Sequence, residues 1–137
     1  MKVVGFDRKV YSWNLKSSEL QDESRSKLHI KARELLDEIF PYAKSYEDVT
    51  LPGSSTPRRR SSLYADFFIP TQRLIVEVHG EQHTKHINYF HKTKHIFLKA
   101  CLRDKEKIEW CEMNGFAFVA LGFDQTIEEW RKAINDR

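Results

Sequence analysis

Strand-forming residues open the chain in two short runs, Val3-Val4-Gly5-Phe6 and Val10-Tyr11-Ser12-Trp13, separated by the polar Asp7-Arg8-Lys9. That pattern predicts a hairpin over residues 1–15. A polar stretch from Lys16 to Arg25 follows as a linker. The period then changes. Leu28, Ala32, Leu35, Leu36, Ile39 and Phe40 recur at helical spacing, Ser26 stands where an N-cap belongs, and Pro41 stops the run. His29 falls on the inward shoulder of this helix, while Lys27, Lys31, Glu34 and Glu38 mark its outer face.

From Val49 to Ser62 the sequence is rich in Pro, Ser and Arg and reads as a loop. Leu63 to Ile69 predicts a strand ended by Pro70, and Arg73 to His79 predicts a second, ended by Gly80. A long helix is expected from about Asn88 to Met113. Its inward stripe would be Phe97, Cys101, Ile108 and Cys111, and Asn114-Gly115 would cap it. Phe116 to Leu121 reads as a third core strand. A closing helix over 126–135 carries Ile127, Trp130 and Ile134 on one stripe. The order helix, strand, strand, helix, strand, helix predicts an α/β fold, a mixed sheet flanked by helices, with the N-terminal hairpin added. No internal repeat is visible.

Composition narrows the class. The 137 residues fit a single domain, and 40% hydrophobic with 31% charged residues is a globular balance. Net charge is only +3, which permits a nucleic-acid partner without requiring one. The placement of charge says more: Arg58, Arg59 and Arg60 are consecutive, and Lys85, His86, His91, Lys92, Lys94 and His95 crowd a second segment. Cys101 and Cys111 on one helix would be roughly 15 Å apart, which excludes a disulfide between them. This usage fits a reducing cytoplasm. No signal peptide opens the chain, and no apolar run is long enough to span a membrane.

Three ionisable residues then stand out. Asp66 lies between Ala65 and Phe67 in an aromatic strand. Glu77 and His79, two apart in the next strand, point to one face. If the two strands form a tight hairpin, all three side chains meet. Each alone has a bland explanation, a turn partner or a solvated face. Together, in a buried sheet, two carboxylates at one point repel each other unless a cation sits between them. Oxygen donors without thiolates select Mg²⁺ or Mn²⁺. Asp104 falls on the inward stripe of the long helix, where it either serves the same site or bonds a backbone amide or a histidine.

The stretch Ala65-Asp66-Phe67 … Ile75-Val76-Glu77-Val78-His79-Gly80-Glu81-Gln82-His83 resembles the core of PD-(D/E)xK nucleases. Within that superfamily it is most similar to the very-short-patch-repair endonuclease branch and the related EDxHD homing endonucleases. The branch has an Asp in one strand, a His-Gly step ending the next, and a helical Asp eleven residues before a Gly-aromatic strand start. Here these are Asp66, His79-Gly80, Asp104 and Gly115-Phe116. The resemblance covers roughly Ser26 to Leu121 and implies a restriction-endonuclease-like core over 26–121 in a single nuclease domain. It further implies that Asp66 and Glu77 ligate a metal. His79 would take the place of the superfamily's lysine near the attacking water, with Asp104 and His83 supporting the metal shell or the scissile phosphate.

Two departures bear on the site. The branch carries a Glu three residues after its helix cap, where this chain has His29. Glu77 is present where the repair enzymes lack an acid. No Cys-rich set matches their structural zinc, so none is expected. The reading that follows is metal-assisted phosphodiester hydrolysis, with His79 accepting the water's proton. Lys107, one turn from Asp104, is either a displaced positive charge or a solvated lysine. Arg58, Arg59 and Arg60, with Lys85, Lys92, Lys94 and Lys107, are candidate DNA phosphate contacts or solvated charge. A DNA endonuclease of the homing or repair kind, associated with a phage or mobile element, is expected. A long-site enzyme of this size would need a homodimer or a partner to supply specificity. An inactive nucleic-acid-binding module and a nuclease for junctions or RNA remain alternatives.

Overall fold

A computed structural model describes residues 1–15, 25–80 and 91–137, the side chains of 91–101 excepted. The predicted hairpin forms from β1 (Lys2–Val4) and β2 (Val10–Ser12), paired antiparallel with Lys2 opposite Ser12. Residues 16–24, most of the predicted linker, lie outside the described set. Helix α1 (Lys27–Ile39) begins as the sequence indicates, with the Ser26 hydroxyl accepting from the His29 backbone N–H.

The main sheet has four strands in the order β3-β4-β5-β6. Strand β3 (Tyr46–Thr50) was not expected, since the predicted loop began at Val49. It is an edge strand with only Val49 buried, and Asp48 sits at φ 52, so no hydrophobic alternation betrays it. Strands β4 (Tyr64–Ile69) and β5 (Leu74–His79) form an antiparallel hairpin through a short 3₁₀ turn, Pro70–Gln72. Arg73 leaves that turn at φ 46. Helix α2 (His91–Asn114) then crosses over, as a parallel connection requires, to β6 (Ala117–Gly122) beside β5. Helix α3 (Ile127–Asn135) closes the chain behind a Thr126–Glu129 capping box.

The sheet separates two apolar cores. On the α2 side Trp13, Phe68, Ile75, Trp110 and Phe116 pack together, with Trp13 stacked on Phe68 at 4.4 Å. On the other side Leu35 and Leu36 of α1 meet Phe67, Val76 and, from α3, Trp130 and Ile134. One sequence expectation for α2 is corrected. Ile108 is 40% exposed, and Trp110, fully buried, takes the inward place assigned to it. Phe97 and Cys101, the start of that stripe, lie outside the described side chains, as does the predicted helix start at 88–90. Among the described residues, no helix is long and apolar enough to cross a membrane.

Candidate active site

The register of the central hairpin places Phe67 opposite Val76, so Asp66 and Glu77 face each other one step further on. Residues directly opposed across an antiparallel pair share a face of the sheet. Here it is the α2 face, since Lys107 of α2 reaches Glu77, and the charge of Asp66 bears on the Glu77 carboxyl. Asp66 Oδ2 also accepts from the Val78 backbone N–H at 2.8 Å, which fixes its side chain against β5.

Glu77 is 5% exposed. Burial, then the hydrogen bond and charge of Asp66, push its carboxyl up to about 9, against the opposing pull of Lys107. At neutral pH Glu77 is therefore held mainly as the acid, as burial beside a second carboxyl favours. Lys107 reaches across from α2, and its Nζ contacts Glu77 Oε1. It is not the solvated lysine its neighbours in the sequence suggest. One turn earlier on α2, Asp104 Oδ2 lies 3.4 Å from His79 Nε2, an ion-pair approach to the histidine. The α2 face of the sheet thus gathers Asp66, Glu77, His79, Asp104 and Lys107.

His29 stands elsewhere. It is buried on the α1 face, stacked on Phe67 at 4.5 Å, with Nε2 2.6 Å from Glu47 Oε1. Arg33 donates to both oxygens of the same carboxylate, at 2.8 and 2.9 Å. Burial works against ionised Glu47, but Arg33 and His29 outweigh it and hold this carboxyl below its usual range. Arg25 links the two faces around the edge of the sheet. Its guanidinium lies 3.2 Å from Asp48, 3.8 Å from Asp66 and 3.3 Å from His29 Nδ1. Glu47 of β3 is thus the carboxylate that His29 and Arg33 meet on the α1 face. Sequence reasoning missed Glu47, Arg33 and Arg25. The only signal was Arg33 four residues after His29, on a face otherwise apolar.

The Arg58-Arg59-Arg60 run divides. Arg59 is half-buried and anchors its own loop, donating to the carbonyls of Ser54 and Ser61 and pairing with Glu106 at 2.6 Å. Arg58 and Arg60 are exposed. His83 and Lys85 lie outside the described residues, and the side chains of Lys92 and Lys94 outside the described side chains.

Among the described residues, no cluster of three or more His, Cys, Asp or Glu side chains is arranged to hold a metal. Two carboxylates are nonetheless a sufficient protein share for Mg²⁺, which retains several waters and borrows oxygens from a substrate phosphate. Asp66 and Glu77 match that donor chemistry in kind: two hard oxygen donors on neighbouring strands of one hairpin.

No known protein family and no solved structure matches this chain. It is similar to an uncharacterized protein, 307L, of Invertebrate iridescent virus 6. The two are 31% identical over 84 residues, which make up 61% of this chain and 43% of the viral protein.

Proposed function

We propose that the protein is a metal-dependent DNA endonuclease with a restriction-endonuclease-like core of the PD-(D/E)xK type. The observation that carries this reading is the half-buried Asp66 beside the buried Glu77, on adjacent strands of one hairpin and flanked by Lys107 and by His79 with Asp104. Asp66 and Glu77 would hold Mg²⁺ or Mn²⁺. When bound, such an ion polarises the scissile phosphate and lowers the pKa of its water. The Val78 amide keeps Asp66 in place. Asp104 lies beside the imidazole of His79, which would take the proton of the attacking water. Lys107 supplies from a helix the positive charge that the superfamily carries on the strand. There it steadies Glu77 and opposes the negative charge that develops on the phosphate.

Purified protein should nick or cut duplex DNA with Mg²⁺ or Mn²⁺, and Asp66→Asn should abolish cleavage. Cutting that persists in excess EDTA would refute the reading. A second reading, a DNA-binding module without turnover, draws on the contacts of Arg25 and Lys107 with the two carboxylates. It predicts salt-dependent binding with no product under any divalent ion.

A further inference from the structure

On the flank of α2 away from the carboxylate pair, a cleft opens between the β1–β2 turn, the 56–59 loop and the helix. Its volume is about 740 Å³, within the range that holds ligands of nucleotide size or larger. Phe6, Pro57, Leu102 and Met113 give it an apolar lining, and Leu102 is 56% exposed there. The exposed guanidinium groups of Arg8, Arg58 and Arg103 stand around it. Of its two acids, Glu106 is neutralised by Arg59, which leaves Glu109 against three arginines.

We infer that this cleft binds an unpaired DNA strand, stacking a base on the apolar lining while Arg8, Arg58 and Arg103 meet its phosphates. The inference rests on the nuclease reading and names its substrate class: DNA with a single-stranded or displaced segment beside the cleavage point. Flat apolar surface and cations in one groove match the two parts of a nucleotide, a π-face and a phosphate. Three arginines against one acid favour a polyanion, and the Phe6 ring offers a base a face to stack on. The cleft and the carboxylate pair lie on opposite flanks of the same helix. Arg103 is next to Asp104 and Glu106 next to Lys107 in the chain. By helical position Leu102, Glu106 and Glu109 fall on one side of α2 and Asp104 and Lys107 on the other, so about the 10–12 Å thickness of a helix separates them, within reach of one strand.

The test is fluorescence anisotropy in EDTA with a labelled 12-nucleotide oligothymidylate, so that binding is read without cleavage. The nuclease reading stands or falls separately, on the metal-dependent cleavage assay. Replacing both Arg58 and Arg103 by Ala should weaken binding by about 10-fold or more and reduce its salt dependence. An abasic strand of equal length and charge should bind about 10-fold more weakly than oligothymidylate. Leu102→Asp, at an exposed position, should shrink that preference for bases. Three results overturn the proposal: no binding of the strand by the unaltered protein, equal binding of abasic and normal strands, or an arginine double variant that binds as the unaltered protein does.

Discussion

A carboxyl group enclosed as Glu77 is, with a second acid as its neighbour and one lysine against it, is stable mainly as the acid. Folding then takes up a proton. Between the ordinary value of 4.5 and about 9 the native state holds more protons than the unfolded chain, so stability falls as pH rises through that window. Thermal midpoints measured in chelator should decline from pH 5 to 9, and Glu77→Gln, which cannot ionise, should flatten the decline. A slope unchanged in that variant assigns the effect to some other group. The same residue shows what the sequence made legible at the site. Asp66, Glu77 and His79 could be read because two strands in one tight hairpin fix which side chains meet. Asp104 could be placed near them because a helical stripe repeats every three to four residues. Glu47, Arg33 and Arg25 could not be read, because their pairing depends on how α1 lies across an edge strand that no local pattern announces.

At the level of elements, the N-terminal hairpin is too small to stand alone and is held by a side chain near the end of α2. Asn114 Oδ1 accepts from the Val4 N–H at 2.7 Å, and its Nδ2 donates to the carbonyls of Val4 and Trp110 at 3.0 Å each. The backbone of Phe6 also donates to the Gly53 carbonyl at 2.8 Å. There Gly5 and Gly53 approach so closely that a Cβ on either would stand under 3 Å from the other's backbone and from the Tyr11 ring. Asn114→Ala removes the clip and leaves the part-buried polar groups of Val4 short of partners. We expect a loss of about 1–3 kcal/mol, with hydrogen exchange speeding up first at residues 2–12. Exchange there as slow as in the unaltered protein would show that the clip does not hold the hairpin. Sequence reading gave Asn114 only a capping role, since a contact between residues 110 positions apart leaves no trace in local spacing. Hairpin, helices and the strands β4, β5 and β6 were legible from their periods. Strand β3, at the edge opposite β6, was not, because it buries a single side chain and carries a left-handed residue at its centre. The phase of α2 slipped for a related reason: Trp110 fills the core where the stripe had pointed to Ile108.

Over the whole molecule, one sheet serves two cores, one on each face, and a buried thiol reports whether they unfold together. That thiol belongs to Cys111. It is 1% exposed within the aromatic core on the α2 side, and burial pushes its thiol up to about 12. A thiol both enclosed and protonated does not react, because the nucleophile is the thiolate and the reagent must reach it. If the two cores unfold as one unit, Cys111 reacts only in the globally unfolded state, and its protection equals the full folding free energy. With Cys101 replaced by Ser, so that a single thiol reports, alkylation in native buffer should run at least about 10³-fold slower than in denaturant. That factor follows from the few kcal/mol of stability ordinary for a domain of this size. Labelling should also rise with denaturant in step with the loss of tryptophan fluorescence, since Trp13 and Trp110 belong to the same core and Trp130 to the opposite one. Labelling that precedes the fluorescence change would mean that α2 opens alone. Asp104 and Lys107 would leave the carboxylate pair with it, and the site would then be assembled by a local equilibrium instead of by the fold as a whole.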